Sequence, residues 1–232
     1  MKTRYELRLS ARETLNGHWG MMILAVIVYE AIAIVAQTPA SIGRGLTQIS
    51  SLTGMGEGME LGLLVAAIPL SFIGIAIAVF LGWPLAYGFE QMPLRFDRNR
   101  NIDIISAIFL GFKDYWRSIL LSLLSAIYVI LWTFLLIVPG IIKAYAYSMS
   151  TYLALDHPDW DAERCIHESR MMMRGHKWQL FVLDLSFIGW TLLCILTLGV
   201  GFLWLIPYIN QTHVKFYNEL VADQQPAAPV AA

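Results

Sequence analysis

The chain has 232 residues, of which 57% are hydrophobic and only 14% charged, with a mean hydropathy of +0.59. Soluble domains average about 45–50% apolar and about 25% charged residues, so water is excluded as the sole solvent of this fold. A formal net charge of -1 excludes whole-molecule attraction to nucleic acid and leaves any electrostatic effect local.

In chain order, the first segment, residues 1–18, mixes Lys2, Arg4, Arg8 and Arg12 with Glu6 and Glu13, which does not fit the basic head of a secretory signal. It reads as a polar lead-in to a first apolar span, Trp19 to Ala36. A Gly-, Ser- and Thr-rich stretch from Gln37 to Glu60 reads as an outer loop or flexible linker. The second span, Leu61 to Phe89, is overlong and carries Pro69 and Pro84 as kink sites. Residues 102–112 place Ile105, Ile108, Phe109 and Phe112 at the spacing of one helix face and predict a second lead-in.

The third span runs from Ser118 to Val138, and Pro139-Gly140 is expected to turn the chain outside the membrane. The fourth, Gly140 to Leu155, is short, which leaves a full crossing or a re-entrant segment open. A third lead-in covers 159–174, with Asp159 or Asp161 as its cap, an apolar stripe of Ala162, Cys165, Ile166, Ser169, Met172 and Met173, and Gly175 as its stop. Spans five and six are Trp178 to Leu198 and Gly201 to Tyr217. The tail, 223–232, is Ala- and Pro-rich and is expected to be disordered. Cys165 and Cys194 make neither a disulfide framework nor a CxxC pattern.

A crossing needs about 20 residues at 1.5 Å rise to span roughly 30 Å of hydrocarbon. Fourteen of the sixteen Lys and Arg residues fall before span one, between spans two and three, between four and five, or at the end. Basic residues favour the cytoplasmic side, and a span four that failed to cross would put Arg164 to Lys177 outside. The expected architecture is therefore an all-α polytopic membrane protein. Six transmembrane helices form three hairpins (19–89, 118–155, 178–217) with cytoplasmic interfacial amphipathic helices, both termini cytoplasmic, in one membrane domain covering 1–222.

Leu15-Asn16-Gly17-His18-Trp19 and Met173-Arg174-Gly175-His176-Lys177-Trp178 both close a lead-in and open a span, while Lys113-Asp114-Tyr115-Trp116-Arg117 does so without the Gly-His pair. Each hairpin returns through a Pro- and Tyr-bearing segment, near Pro84, Pro139 and Pro207. The pattern reads as a threefold internal repeat.

The stretch Ile137-Val138-Pro139-Gly140-Ile141-Ile142-Lys143-Ala144-Tyr145, then Gly175-His176-Lys177-Trp178, Asp184 through Trp190, Leu198-Gly199-Val200-Gly201 and Pro207-Tyr208 with Phe216-Tyr217, resembles an uncharacterised family of bacterial integral membrane proteins, a domain of unknown function. The likeness is densest over the second half of the chain. It implies a bacterial multi-pass inner-membrane protein and brings no activity or site. A fainter likeness is to the membrane domain attached to some glycerophosphodiester phosphodiesterases, whose catalytic domain this chain lacks.

Charges inside spans cost about 2.5–3.5 kcal/mol at a helix centre and point to function or to pairing. Glu30 falls roughly 16 Å from the cytoplasmic edge and Lys143 roughly 24 Å, a gap a lysine can bridge, whereas Asp184, roughly 9 Å in, matches Lys215 and His213. These five form a candidate intramembrane polar site, with a structural lock between helices as the competing reading. Arg174, His176, Lys177 and Trp178 form a basic-aromatic cluster suited to an anionic lipid headgroup or to plain anchoring. Asn210-Gln211-Thr212 matches a glycosylation sequon but lies inside span six.

No HExxH, GxSxG, Walker A loop, zinc spacing or clustered acid pair is present, so no catalytic residue, cofactor or metal is expected. Partners are the bilayer, an anionic lipid, or a membrane or cytoplasmic protein. The leading expectation is a non-enzymatic structural or accessory protein docking through residues 161–173. The alternative is a transporter or binder of a small molecule, ion or lipid near Glu30 and Lys143.

Overall fold

The computed structural model describes residues 2–53 and 57–224, and every regular element among them is helical. The expected disordered tail falls outside the described residues from 225 on. Four helices are long and apolar enough to cross a bilayer: Trp19–Pro39, Leu61–Arg98, Tyr115–Leu135 and Lys177–Leu196. Side chains such as Phe134 and Leu198, 89% and 95% exposed, give an apolar outer surface of the kind that lipid would cover.

Helix α1 (Arg4–Leu15) opens with a reciprocal cap: the Glu6 amide donates to Thr3 Oγ1 while the Thr3 amide donates to the Glu6 carboxylate. Such a cap satisfies amides that have no partner in the helix's first turn. The chain then turns through Gly17 at φ +81°, a left-handed conformation that costs glycine little, into α2 (Trp19–Thr53). At 1.5 Å per residue α2 is about 52 Å long, some 20 Å more than the hydrocarbon needs. It packs along α3 (Glu57–Ile77). The expected outer loop over 37–60 is thus helical on both sides of residues 54–56. Local Gly and Ser content is overridden by the length over which the two helices pack.

After α3, a π-helical turn (Ala78–Gly82) leads directly into α4 (Trp83–Arg98), so the second span continues well past Phe89. Next come α5 (Ile104–Ile108), capped by Asp103, and a 3-10 turn over Phe109–Phe112. The buried face of this lead-in is Ala107, Ile108, Leu110 and Gly111, while Ile105 and Phe109 are exposed. The expected stripe is thus divided between the protein and the outer surface, and tightening from α to 3-10 geometry shifts the periodicity over Phe109–Phe112. Two glycines permit the contact. A Cβ on Gly88 would stand 2.1 Å from the Ile108 carbonyl oxygen, and one on Gly111 2.0 Å from that of Pro84.

The third span, α6 (Tyr115–Leu135), reverses at a single extended residue, Leu136, into α7 (Ile137–Tyr147). Pro139 and Gly140 therefore do not make the turn. They occupy the first turn of α7, where proline forfeits no helical hydrogen bond, and Gly140 lets α7 approach Thr133 closely. The return breaks again before α8 (Ser150–Asp156). Asp161 caps α9 (Ala162–Met172), accepting from the Arg164 amide at 2.8 Å. The exit turns at Gly175, also φ +81°, so the two Gly-His segments match in backbone as well as in sequence. The chain continues as α10 (Lys177–Leu185), α11 (Ile188–Leu196) and α12 (Phe202–Gln224).

The lead-ins pack in cyclic order. α5 lies on α4, α9 on α8, and α1, the first helix, on α12, the last. The spans follow the same rule, with α6 on α4, α10 on α7 and α2 on α12. At the centre α4 contacts both α8 and α12, and Leu94, Leu153, Phe216 and Tyr217 join one buried cluster. Both cysteines are free and buried, Cys165 in α9 and Cys194 in α11.

Candidate functional site

Polar side chains in this apolar fold collect where α12 meets the other returning helices. Asp97 of α4 is the most heavily coordinated carboxylate. Its Oδ1 accepts from Lys215 Nζ at 2.6 Å and Gln211 Nε2 at 3.1 Å, and its Oδ2 from Asn218 Nδ2 at 2.8 Å. The next residue, Arg98, forms an ion pair with Asp156 of α8, whose other oxygen accepts from Tyr217 at 2.7 Å. On the far side of α12, His213 Nε2 lies 2.6 Å from Asp184 Oδ1, and Tyr145 donates to Asp184 Oδ2 at 3.0 Å. Each of these charges is consumed by a neighbour on another helix. Such pairs favour a particular arrangement of helices and leave little capacity for a ligand.

The predicted polar residues are thus divided. Asp184 does meet His213, but Lys215 pairs with Asp97 and not with Asp184. Glu30 is exposed on α2 and makes no ion pair among the described residues, and Lys143 sits 4.4 Å from the Trp132 ring centroid as a cation–π contact. No hydrogen bond or ion pair joins Glu30 to Lys143 among the described residues. Matching the two by depth left out their rotation about the helix axes. In the basic-aromatic cluster, Trp178 and Arg174 are exposed, Trp178 stacks on Phe181 at 5.2 Å, and His176 contacts Gln179 at 3.1 Å.

A cavity of about 570 Å³ lies between α4, α6, the α7–α8 return and α12. Its walls carry Glu90, Ser122, Ser125, Ser148, Thr151, Asn210 and His213 among apolar neighbours. Ser122 and Ser125 stand three apart on α6, hence on one helix face. Counted along α6 from the exposed Trp116, an interfacial residue type, they lie roughly 9 and 14 Å further in. The Ser125 hydroxyl is buried without a hydrogen-bond partner. Glu90 Oε2 accepts from Thr151 Oγ1 at 3.0 Å, and no basic group pairs with Glu90 among the described residues. An acid that keeps acceptor capacity facing a void, beside hydroxyls and an amide, can bind a cation, an ammonium group or a polyhydroxylated molecule. Among the described residues no three of His, Cys, Asp and Glu group as metal ligands would.

Glu90 was missed because the second span was ended at Phe89. Running the helix on to the next polar cluster would have placed it inside the mixed helix from Trp83 to Arg98. The serine pair at i, i+3 in α6 was a second readable signal. Asn210, set aside as an unusable sequon, lines the cavity.

Residues 134–224 match the model of a family described as a protein of unknown function (DUF975), the part of the chain where the motifs quoted above are densest. No curated protein and no solved structure matches the chain.

Proposed function

We propose that this chain is a six-crossing protein of the bacterial inner membrane, with both termini cytoplasmic, that binds or carries a small cationic or polyhydroxylated molecule in the cavity beside Glu90 and does no covalent chemistry. The observation that carries this reading is the Glu90 carboxylate, which faces a cavity of about 570 Å³ with no basic partner among the described residues. The six crossings, arranged as three hairpins, rest on the distribution of basic residues. The cyclic packing of lead-ins and spans supports them, because it repeats the same unit three times.

Docking through residues 161–173 loses support from burial. Cys165, Ile166, Ser169, Met172 and Met173 are all buried in the fold, so the stripe is spent internally. The exposed face of α9 holds Glu163, Arg164, His167 and Met171. An accessory role stands as the second reading, favoured by the complete internal pairing of Asp97, Asp184 and Lys215.

Native mass spectrometry of protein extracted with its surrounding lipid tests the first reading. A small molecule retained in fixed ratio by the wild type and lost in Glu90→Gln, with unfolding unchanged, supports the binder. No retained molecule, or one indifferent to Glu90→Gln, rejects it in favour of the accessory role.

A further inference from the structure

A second cavity, of about 440 Å³, lies between α1, the start of α2, α11 and α12, and shares no lining residue with the first. Its volume falls in the range of ligand pockets, about 300–1,000 Å³. One end is basic. Arg8 and Arg12, four residues apart on α1, both line it, and no carboxylate does. Neither guanidinium makes an ion pair among the described residues. Arg8 Nε is buried without a hydrogen-bond partner, and its charge rests over the Phe187 ring at 5.5 Å. Leaving such a donor unmet is costly unless something outside the chain accepts from it.

The other end is apolar and open to the membrane. Trp190, Leu193 and Trp204 line it and are half or more exposed, so the acyl chains of a surrounding bilayer can lie against them. A cleft with two unpaired guanidiniums at one end and exposed tryptophans beyond has the polarity profile of one phospholipid molecule. We infer that this cleft is a binding site for an anionic phospholipid, with its phosphate on Arg8 and Arg12 and an acyl chain along Trp190, Leu193 and Trp204. Guanidiniums suit that anion because their forked donors match phosphate oxygens. The site is separate from the cluster of Arg174 and Lys177, and it stands or falls independently of the Glu90 cavity.

The test is native mass spectrometry of the full chain in a neutral detergent, titrated with phosphatidylglycerol, with phosphatidylcholine of the same acyl chains, and with inorganic phosphate. Two basic groups near a membrane surface favour an anionic over a zwitterionic headgroup by about thirtyfold in affinity. The expected result is one phosphatidylglycerol per chain in preference to phosphatidylcholine by that order. The preference should vanish in Arg8→Gln/Arg12→Gln, fall in the exposed-site variant Arg12→Gln, and persist in Arg174→Gln/Lys177→Gln. Leu193→Trp, which fills the apolar end and leaves both charges, should also weaken the lipid. Binding of inorganic phosphate as tightly as the lipid, equal retention of the two lipids, or loss only in the Arg174 and Lys177 variant would each overturn the assignment.

Discussion

Substituting Asp97 or Lys215 tests whether the intramembrane charges are locks between helices. Both side chains are largely buried, 11% and 18% exposed, at an N–O distance of 2.6 Å. In Asp97→Asn the lysine loses its counterion in a site with little water, and breaking a buried pair from one side costs about 3–5 kcal/mol. The new amide group would also face the donor of Asn218, which now points at Asp97 Oδ2. Lys215→Met leaves Asp97 charged but still holding Gln211 and Asn218, so its cost belongs at the lower end, about 3 kcal/mol. Removing both charges together removes the desolvation penalty as well, and the double variant should lie within about 1 kcal/mol of wild type. The coupling is then several kcal/mol, well above the roughly 0.5 kcal/mol by which independent sites depart from additivity. Against a typical stability of about 5–15 kcal/mol, either single change is large. Reversible unfolding in mixed micelles, followed by tryptophan fluorescence, measures all four corners of the cycle. Single effects below about 1 kcal/mol that simply add would show a solvated, weakly coupled pair and would remove the basis for treating these charges as structural.

Gly88→Ala should destabilise the protein by about 1–3 kcal/mol or more, because the new methyl meets backbone at Ile108 on the facing element. Gly82→Ala, in the same continuous helix but with open space around it, should be neutral or stabilising, and equal behaviour of the two in thermal unfolding would contradict the close packing of α5 on α4. At the N-terminus, Lys2 Nζ lies 2.8 Å from Glu219. The hydrogen bond to Glu219 raises the Lys2 pKa; burial alone would raise that of Glu219, but its bonds with Lys2 together hold it below the usual carboxylate range. The raised lysine contributes below its ordinary pKa and loses that contribution as pH rises through the raised value. The lowered carboxylate contributes above its ordinary pKa and loses it as pH falls through the lowered value. Attachment of α1 to α12 should therefore be constant across neutral pH and loosen at both extremes. Lys2 is more than half exposed, so the effect should stay below about 1 kcal/mol, readable as faster amide exchange in α1 at acid pH after correction for the intrinsic rate. Unchanged corrected exchange would discount the pair.

What could be read from residues alone is what depends on near neighbours along the chain. Apolar length predicted six spans, and four helices are long and apolar enough to cross, because hydrocarbon demands about 20 residues whatever lies beside them. Asp161 as a cap and Gly175 as a stop hold because both act through bonds and dihedrals within a few residues. The Gly-His repeat survives in three dimensions for the same reason: Gly17 and Gly175 share φ +81°. Local content misled where packing is long, as between α2 and α3, and where a turn was assigned to Pro139-Gly140 and not to Leu136.

The partner of Lys215, the cavity at Glu90 and the closure of α1 onto α12 were decided by tertiary structure. Lys215 meets a carboxylate 118 residues away, and residue counting supplies its depth along a helix axis but neither the helix beside it nor the direction it faces. Asp184 and Asp97 were both available to it. The order in which α4, α7–α8, α10 and α12 pack, together with the rotation of α12 about its own axis, gives His213 to the first and Lys215 to the second.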